Sequence, residues 1–147
     1  MKNPQIDKDL ALLLSDYQIL TMKVRGYHWT VSGPLFFELH RKFEELYDDA
    51  AEKVDALAER LAALGTRPPI TLKEQLAAAR LKEDSSIPSA TDMVRNVAAD
   101  LETLNKSLRG LETAAASAGD AATENLAQGY ADGQEKTIWM LRAFLSG

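Results

Sequence analysis

The chain has no cysteine among its 147 residues. That excludes disulfides and thiolate metal sites, so any bound metal must sit on His, Asp or Glu. No apolar run approaches the ~20 residues needed to span a bilayer. The first ten residues carry Lys2, Asp7, Lys8 and Asp9 with no apolar stretch between them, unlike a signal peptide. These two absences lead us to expect a cytoplasmic protein without a membrane partner. A basic face or tail, the usual mark of a duplex-DNA binder, is also missing, and the net charge is -5. An acidic balance suits a protein that draws in cations. There is no repeat, no low-complexity tract beyond Ala114-Ala115-Ala116, and no strand signal to rival the helical one. What is present is 46% apolar and 27% charged residues, enough for one globular domain, 1–147, around a single core.

The apolar residues recur at steps of three and four in four long segments. The first runs from about Asp7 to Val31, with Leu10, Leu13, Leu14, Tyr17, Leu20, Val24 and Tyr27 as its stripe. Ser32-Gly33-Pro34 stops it. The second covers about Leu35 to Leu64, with Phe36, Leu39, Phe43, Leu46, Ala50, Val54, Leu57, Leu61 and Leu64. Gly65 is positioned to cap it, and Pro68-Pro69 forbid continuation. A short helix, Leu72 to Leu81, is expected within the long connection that follows. The third long helix starts near Ser89, where Ser89 and Asp92 have capping-box spacing, and ends at Ala118-Gly119. Its stripe is Met93, Val97, Leu101, Leu104, Leu108 and Leu111. The fourth, about Ala121 to Leu145, carries Leu126, Tyr130, Ile138, Leu141 and Leu145, weakened by Gly129 and Gly133 at about 1 kcal/mol each. Trp139 reads as core or interface. The fold class is therefore all-α: a ferritin-like four-helix bundle with a short extra helix in the crossover between helices two and three.

Both histidines lie close in sequence: His28 near the end of the first helix, His40 near the start of the second. Helix two adds Glu44, Asp55 and Glu59. His40 and Glu44 share a face, as do Asp55 and Glu59, because residues four apart are neighbours on a helix. Along a straight helix, however, His40 and Glu59 are roughly 28 Å apart, too far to ligate one ion within one chain. Packed antiparallel against its own copy across a two-fold axis, the helix brings them together. The pairs His40–Glu59 and Glu44–Asp55 share one midpoint, so a single register joins both and creates two equivalent sites per dimer. Ala51, Ala58 and Ala62 on the same side permit close approach of the two helices. His28 comes in from the first helix. Two imidazoles with three carboxylates suit iron, manganese or zinc. The Glu-x-x-His pattern of an intrachain ferritin-like site is absent, since Arg25 and Phe37 stand three residues before the histidines.

The stretch Tyr27-His28-Trp29-Thr30-Val31-Ser32-Gly33-Pro34-Leu35-Phe36-Phe37-Glu38-Leu39-His40-Arg41-Lys42-Phe43-Glu44-Glu45-Leu46-Tyr47 resembles the Dps-like miniferritin family. So does Asp55-Ala56-Leu57-Ala58-Glu59-Arg60, followed by Leu64-Gly65. The resemblance implies a ferroxidase: a protein that binds Fe(II) between subunits, oxidises it, typically with hydrogen peroxide, and stores ferric mineral inside a hollow dodecamer. That activity would limit oxidative damage. It assigns His28, His40 and Glu44 to one subunit's half of the site and Asp55 and Glu59 to the other's. The family commonly has Asp where this chain has Glu44. The resemblance also suggests Trp29 as a residue near the iron that gives up an electron; the packing alternative for Trp29 is core or interface.

Asp120, Glu124 and Glu135 are candidates for a cation-uptake pore near the fourth helix, with surface acids as the plain alternative. Asp48, Asp49 and Glu52 would face a cavity or solvent. Some members of the family bind DNA through a lysine-rich extension. Here the first helix is expected to leave about six preceding residues with only Lys2 and the terminal amine positive, and no basic extension follows Leu145, so weak or no DNA binding is expected. Two competing readings remain at this point: a DNA-compacting protein whose metal site is secondary, and a plain helical oligomer with vestigial ligands.

Overall fold

A computed structural model describes residues 2–147. Five helices carry these residues, and no strand occurs among them: α1 (Pro4–Thr30), α2 (Phe36–Ala63), α3 (Leu72–Ala78), α4 (Ala90–Ala118) and α5 (Ala121–Leu145). Two helical hairpins, α1–α2 and α4–α5, pack through α1 against α4, and α3 lies against α1. The long crossover 64–89 joins the hairpins.

Local chemistry sets the helix ends. Asn3 accepts hydrogen bonds from the amides of Gln5 and Ile6 while Pro4 fills the first helical position, so α1 begins at Pro4 rather than at Asp7 as the apolar stripe alone predicts. Met1, which carries the terminal amine of the expected tail, lies outside the described residues. α2 closes with Gly65 at φ 88°, the left-handed region that favours glycine; the Thr66 and Gly65 amides then donate to the carbonyls of Leu61 and Ala62. Gly119 ends α4 in the same region, at φ 72°. Ser89 caps α4 by accepting from the Asp92 amide, but the Asp92 carboxylate turns to Arg95, so only half of the expected reciprocal box is engaged.

The predicted stripes of the first and third long helices are buried throughout, as are Leu39, Phe43, Ala50, Leu57 and Leu61 on α2. α5 departs from expectation. Its most deeply buried residues are Thr123, Ala127, Ala131, Gln134 and Leu141, whereas Leu126, Tyr130, Ile138 and Leu145 are half-buried and Trp139 is exposed. Two alanines bring α5 close to its neighbours, and Gln134 goes inside because it accepts from the Tyr17 hydroxyl and donates to Asn105. Gly129 and Gly133 do not interrupt the helix.

The crossover helix is shorter than the predicted Leu72–Leu81 because a buried carboxylate captures the chain beyond it. Asp16, 1% exposed, accepts from the Arg80 and Leu81 amides and from the Arg80 guanidinium. Ala79 is extended, and Leu81 drops into the core. A buried aspartate held by two amides and one guanidinium is fully satisfied; removing either partner would leave an uncompensated charge or donors without acceptors.

Candidate metal centre

The short turn between α1 and α2 brings the two histidines face to face. Their rings stack at 3.7 Å between centroids with an interplanar angle of 12°. Each ring is tied to the other's main chain: His28 Nδ1 donates to the His40 carbonyl at 2.6 Å, and His40 Nδ1 donates to the His28 carbonyl at 2.7 Å. A carbonyl only accepts, so in both rings the proton sits on Nδ1 and the Nε2 lone pair of the neutral imidazole is left free. This is the arrangement a metal-binding histidine needs, with the second nitrogen fixing the tautomer and orientation of the first.

Aromatic neighbours hold the pair. Phe36 stacks on His40 at 5.0 Å, and the edge of His28 meets Tyr47 at 5.4 Å and 77°. The Arg25 guanidinium covers Tyr47 at 4.5 Å from its centroid. His28 is buried and His40 half-buried, while Glu44 is exposed with its Oε1 at 3.8 Å from His28 Nε2. The stacked imidazoles, with one carboxylate beside His28, therefore share this end of the α1–α2 hairpin.

Asp55 and Glu59 are not part of it. Both are exposed on α2, and the helix runs unbroken from Phe36 to Ala63, so they lie roughly 22 and 28 Å from His40 along its axis. Among the described residues neither carboxylate pairs with a cation, and no three His, Asp or Glu side chains converge closely enough to cage a metal within one chain. Ala51 and Ala62 are exposed and Ala58 is half-buried. Trp29, beside His28, is 63% exposed and so lies outside the core of the single chain.

Three of the remaining acidic candidates have local partners. Asp120 caps α5, accepting from the Thr123 amide and hydroxyl and from Arg60 at 2.9 Å. Burial alone would raise its carboxyl, but Thr123 and Arg60 outweigh burial and hold it below the usual aspartate range. Glu135 pairs with Arg109, Glu124 is half-buried, and Asp49 pairs with the buried Lys53, whose ammonium lies 5.1 Å from the Tyr130 centroid. Asp48 and Glu52 are exposed.

Two features near the cluster escape sequence reasoning. Tyr47 is seven residues past His40, two helical turns on, and that spacing could have flagged it. Tyr27 looked like plain core. Its ring is buried, yet its hydroxyl donates to Asp84 at 2.5 Å and accepts from Asn96 at 3.1 Å. Burial and the Asp84 carboxylate push the phenol well above its usual range, and hydrogen bonds from Ser86 and Tyr27 hold Asp84 below its own.

The bundle with its crossover helix and its histidine–carboxylate cluster defines a ferritin-like protein, and the family model described as ferritin-like domain matches residues 8–147. A curated relative from Porphyromonas gingivalis, "DNA protection during starvation protein", is 39% identical over 93% of this chain and 86% of its own length. The crystal structure of a Dps protein from Bacillus brevis is 40% identical, covers 99% of each chain and superposes with a TM-score of 0.90. A Dps structure from Vibrio cholerae, described as a member of a broad superfamily of ferritin-like diiron-carboxylate proteins, is 37% identical over 97% of this chain and 89% of its own, with a TM-score of 0.94. The chain belongs to the Dps-like miniferritins of the ferritin-like family. No helix among the described residues is long and apolar enough to cross a membrane.

Proposed function

We propose that the protein is an iron-oxidising and iron-storing miniferritin whose catalytic centres are shared between two subunits of a homo-oligomer, a dodecamer by family likeness. One subunit contributes His28, His40 and Glu44; the other contributes Asp55 and Glu59. The observation that carries this reading is the reciprocal histidine clasp. It spends both Nδ1 protons on main-chain carbonyls and leaves both Nε2 lone pairs free, that of His28 lying 3.8 Å from the Glu44 carboxylate. Half a site is thus built rigidly, and its missing acids lie on the same continuous helix at the spacing an antiparallel two-fold pairing completes.

Iron is the substrate. Imidazole and carboxylate donors bind Fe(II) and Fe(III) without burying them in a closed cage, which suits an ion that must enter, react and leave. Zinc and manganese would compete for the same donors. With hydrogen peroxide as oxidant, two Fe(II) ions each lose one electron, the O–O bond breaks, and with two waters the products are two FeO(OH) units and four protons. Consuming Fe(II) and peroxide together protects the cell, with the cytoplasm as the site of action. The role of Trp29 is that of a nearby oxidisable ring at the edge of the site.

DNA is not a partner in this reading. The Lys2 ammonium, the one cationic side chain among the described residues ahead of α1, folds back onto the Gly65 carbonyl at 3.1 Å and the Thr66 hydroxyl, with Asp7 at 3.7 Å. It is spent internally rather than offered to phosphate. A duplex gel shift by the intact assembly at ~150 mM salt would refute this.

The decisive test is subunit complementation. A chain carrying His28→Gly and His40→Gly and a chain carrying Asp55→Asn and Glu59→Gln are each expected to oxidise Fe(II) slowly on their own. When the two are co-assembled at random, half the dimers are mixed, and each mixed dimer regains one of its two sites. About a quarter of parental activity should return. No recovery in verified mixed assemblies would reject the shared centre.

A further inference from the structure

Resting on the shared-centre reading above, we propose that Arg25 is the resident cation of the iron-free site. It pairs with the carboxylates that the second subunit brings, Asp55 and Glu59, and a metal ion must displace it to bind.

Arg25 is the exception among the cations. Lys23, Lys42, Lys53, Arg60 and Arg109 are the other lysines and arginines that the fold takes wholly or partly out of solvent, and each pairs with a carboxylate. Arg25 is half-buried too, yet among the described residues no carboxylate pairs with it. A guanidinium cannot shed its charge by losing a proton, so partial desolvation without a partner is destabilising. The unpaired charge stands beside the metal half-site. Its Cζ lies 4.5 Å over the Tyr47 ring, and that ring meets the edge of His28 at 5.4 Å. The guanidinium is therefore within about one Debye length of the imidazole, roughly 10 Å at 0.1 M salt. The aromatic face holds the cation in place without neutralising it.

The missing counter-charge is on α2. Asp55 and Glu59 are exposed carboxylates that no cation holds among the described residues. The antiparallel register that brings Asp55 to Glu44 also brings it within one helical turn of Tyr47, where Arg25 sits. In an iron-free dimer, Glu44, Asp55 and Glu59 would repel one another, and Arg25 is the positive charge at hand to offset them. When a metal ion enters, the carboxylates turn to it, and the guanidinium then opposes the ion. Arg25 thus has two opposed effects: it supports the empty two-fold contact and loosens the grip on metal. Its repulsion is larger for Fe(III) than for Fe(II), which favours release of the oxidised product.

The test compares metal-free assemblies of the parent, Arg25→Gln and Arg25→Lys. Calorimetric titration with Zn(II), a redox-silent probe, reads affinity at about 50 mM and about 0.5 M salt. Sedimentation in increasing urea reads how firmly the empty assembly holds together. Arg25→Gln is expected to bind Zn(II) several-fold more tightly than the parent at low salt, with the gap narrowing at high salt. The same variant should fall apart at lower urea when empty. Arg25→Lys keeps the charge and should stay near the parent in both. A residue with a merely structural role would move the two readouts in the same direction. Zinc affinity that is unchanged or weaker in Arg25→Gln, or tighter affinity with no loss of the empty assembly's stability, overturns the proposal. Variants of the two ligand halves in the same titration separate it from the reading beneath it. A zinc site that needs both halves but ignores Arg25 overturns the proposal alone; a site that does not need both halves overturns the shared centre as well.

Discussion

The two halves of the proposed centre lie on one helix and are built in opposite ways. At the start of α2, His40 is stacked between His28 and Phe36, hydrogen-bonded to the main chain, and braced through Tyr47 and Arg25. Four to five turns later, Asp55 and Glu59 stand exposed, and among the described residues no cation holds either of them. A hydrogen bond of this kind is worth about 1 kcal/mol net, and a stacked aromatic pair adds about as much again. The imidazole half is therefore preorganised within the chain, while the carboxylate half contributes little to the chain that carries it. Such a division suits a site in which one subunit fixes geometry and the other supplies charge.

The comparison breaks first if the two halves do not matter equally to chemistry. Removing either the histidines or the Asp55–Glu59 pair should slow the peroxide-dependent ferric absorbance rise on the order of 100-fold, close to 2.7 kcal/mol of barrier. Loss on one side only would mean that the two sets serve different sites. Folding stability should then separate them. In metal-free protein, His28→Ala removes a buried ring, its stack and one hydrogen bond, and is expected to cost about 2 kcal/mol in urea unfolding. Asp55→Asn should stay within about 0.5 kcal/mol of the parent. Equal costs would show that the carboxylate half is built into the chain after all. A finer probe is Tyr47, the edge contact of His28. Tyr47→Phe keeps the ring and should leave iron affinity near the parent's, whereas Tyr47→Ala frees the imidazole and should weaken it by about 1 kcal/mol, roughly fivefold, in a titration of the assembly.

The same contrast explains what the sequence discloses. The bundle is legible because burial follows a helix period: every residue of the Met93 to Leu111 stripe is inside. The proposed ligand register rests only on spacing along a rod, and α2 runs unbroken from Phe36 to Ala63 as that spacing requires. The clasp is not legible, since it needs the path of the turn at Ser32–Leu35, which places each Nδ1 on the other residue's carbonyl. Asp16 was equally hidden. A carboxylate in an apolar stripe reads as surface until the crossover delivers Arg80 and two amides to it. On α5 the period was right but the depth was wrong, because close packing through Ala127 and Ala131 and the Tyr17–Gln134–Asn105 chain decide which side is innermost.

Asp120 is the counter-example that sharpens the contrast, a carboxylate with a firm place in its own chain. It caps α5 and meets Arg60, which accounts for it without any cation pore. Asp120→Asn keeps one capping oxygen for the Thr123 amide but loses the ion pair and the second oxygen that accepts from the Thr123 hydroxyl, so at neutral pH it should cost about 1 kcal/mol. The sign of its pH dependence follows from its direction of shift. Its folded carboxyl titrates below the unfolded value of about 3.9, so its contribution is present above that value and is lost as pH falls through the folded one. Urea midpoints of parent and variant should accordingly differ at pH 7 and converge as the pH drops below about 3.9. A gap that persists undiminished under acid would mean that the ionised state of Asp120 is not what stabilises the start of α5.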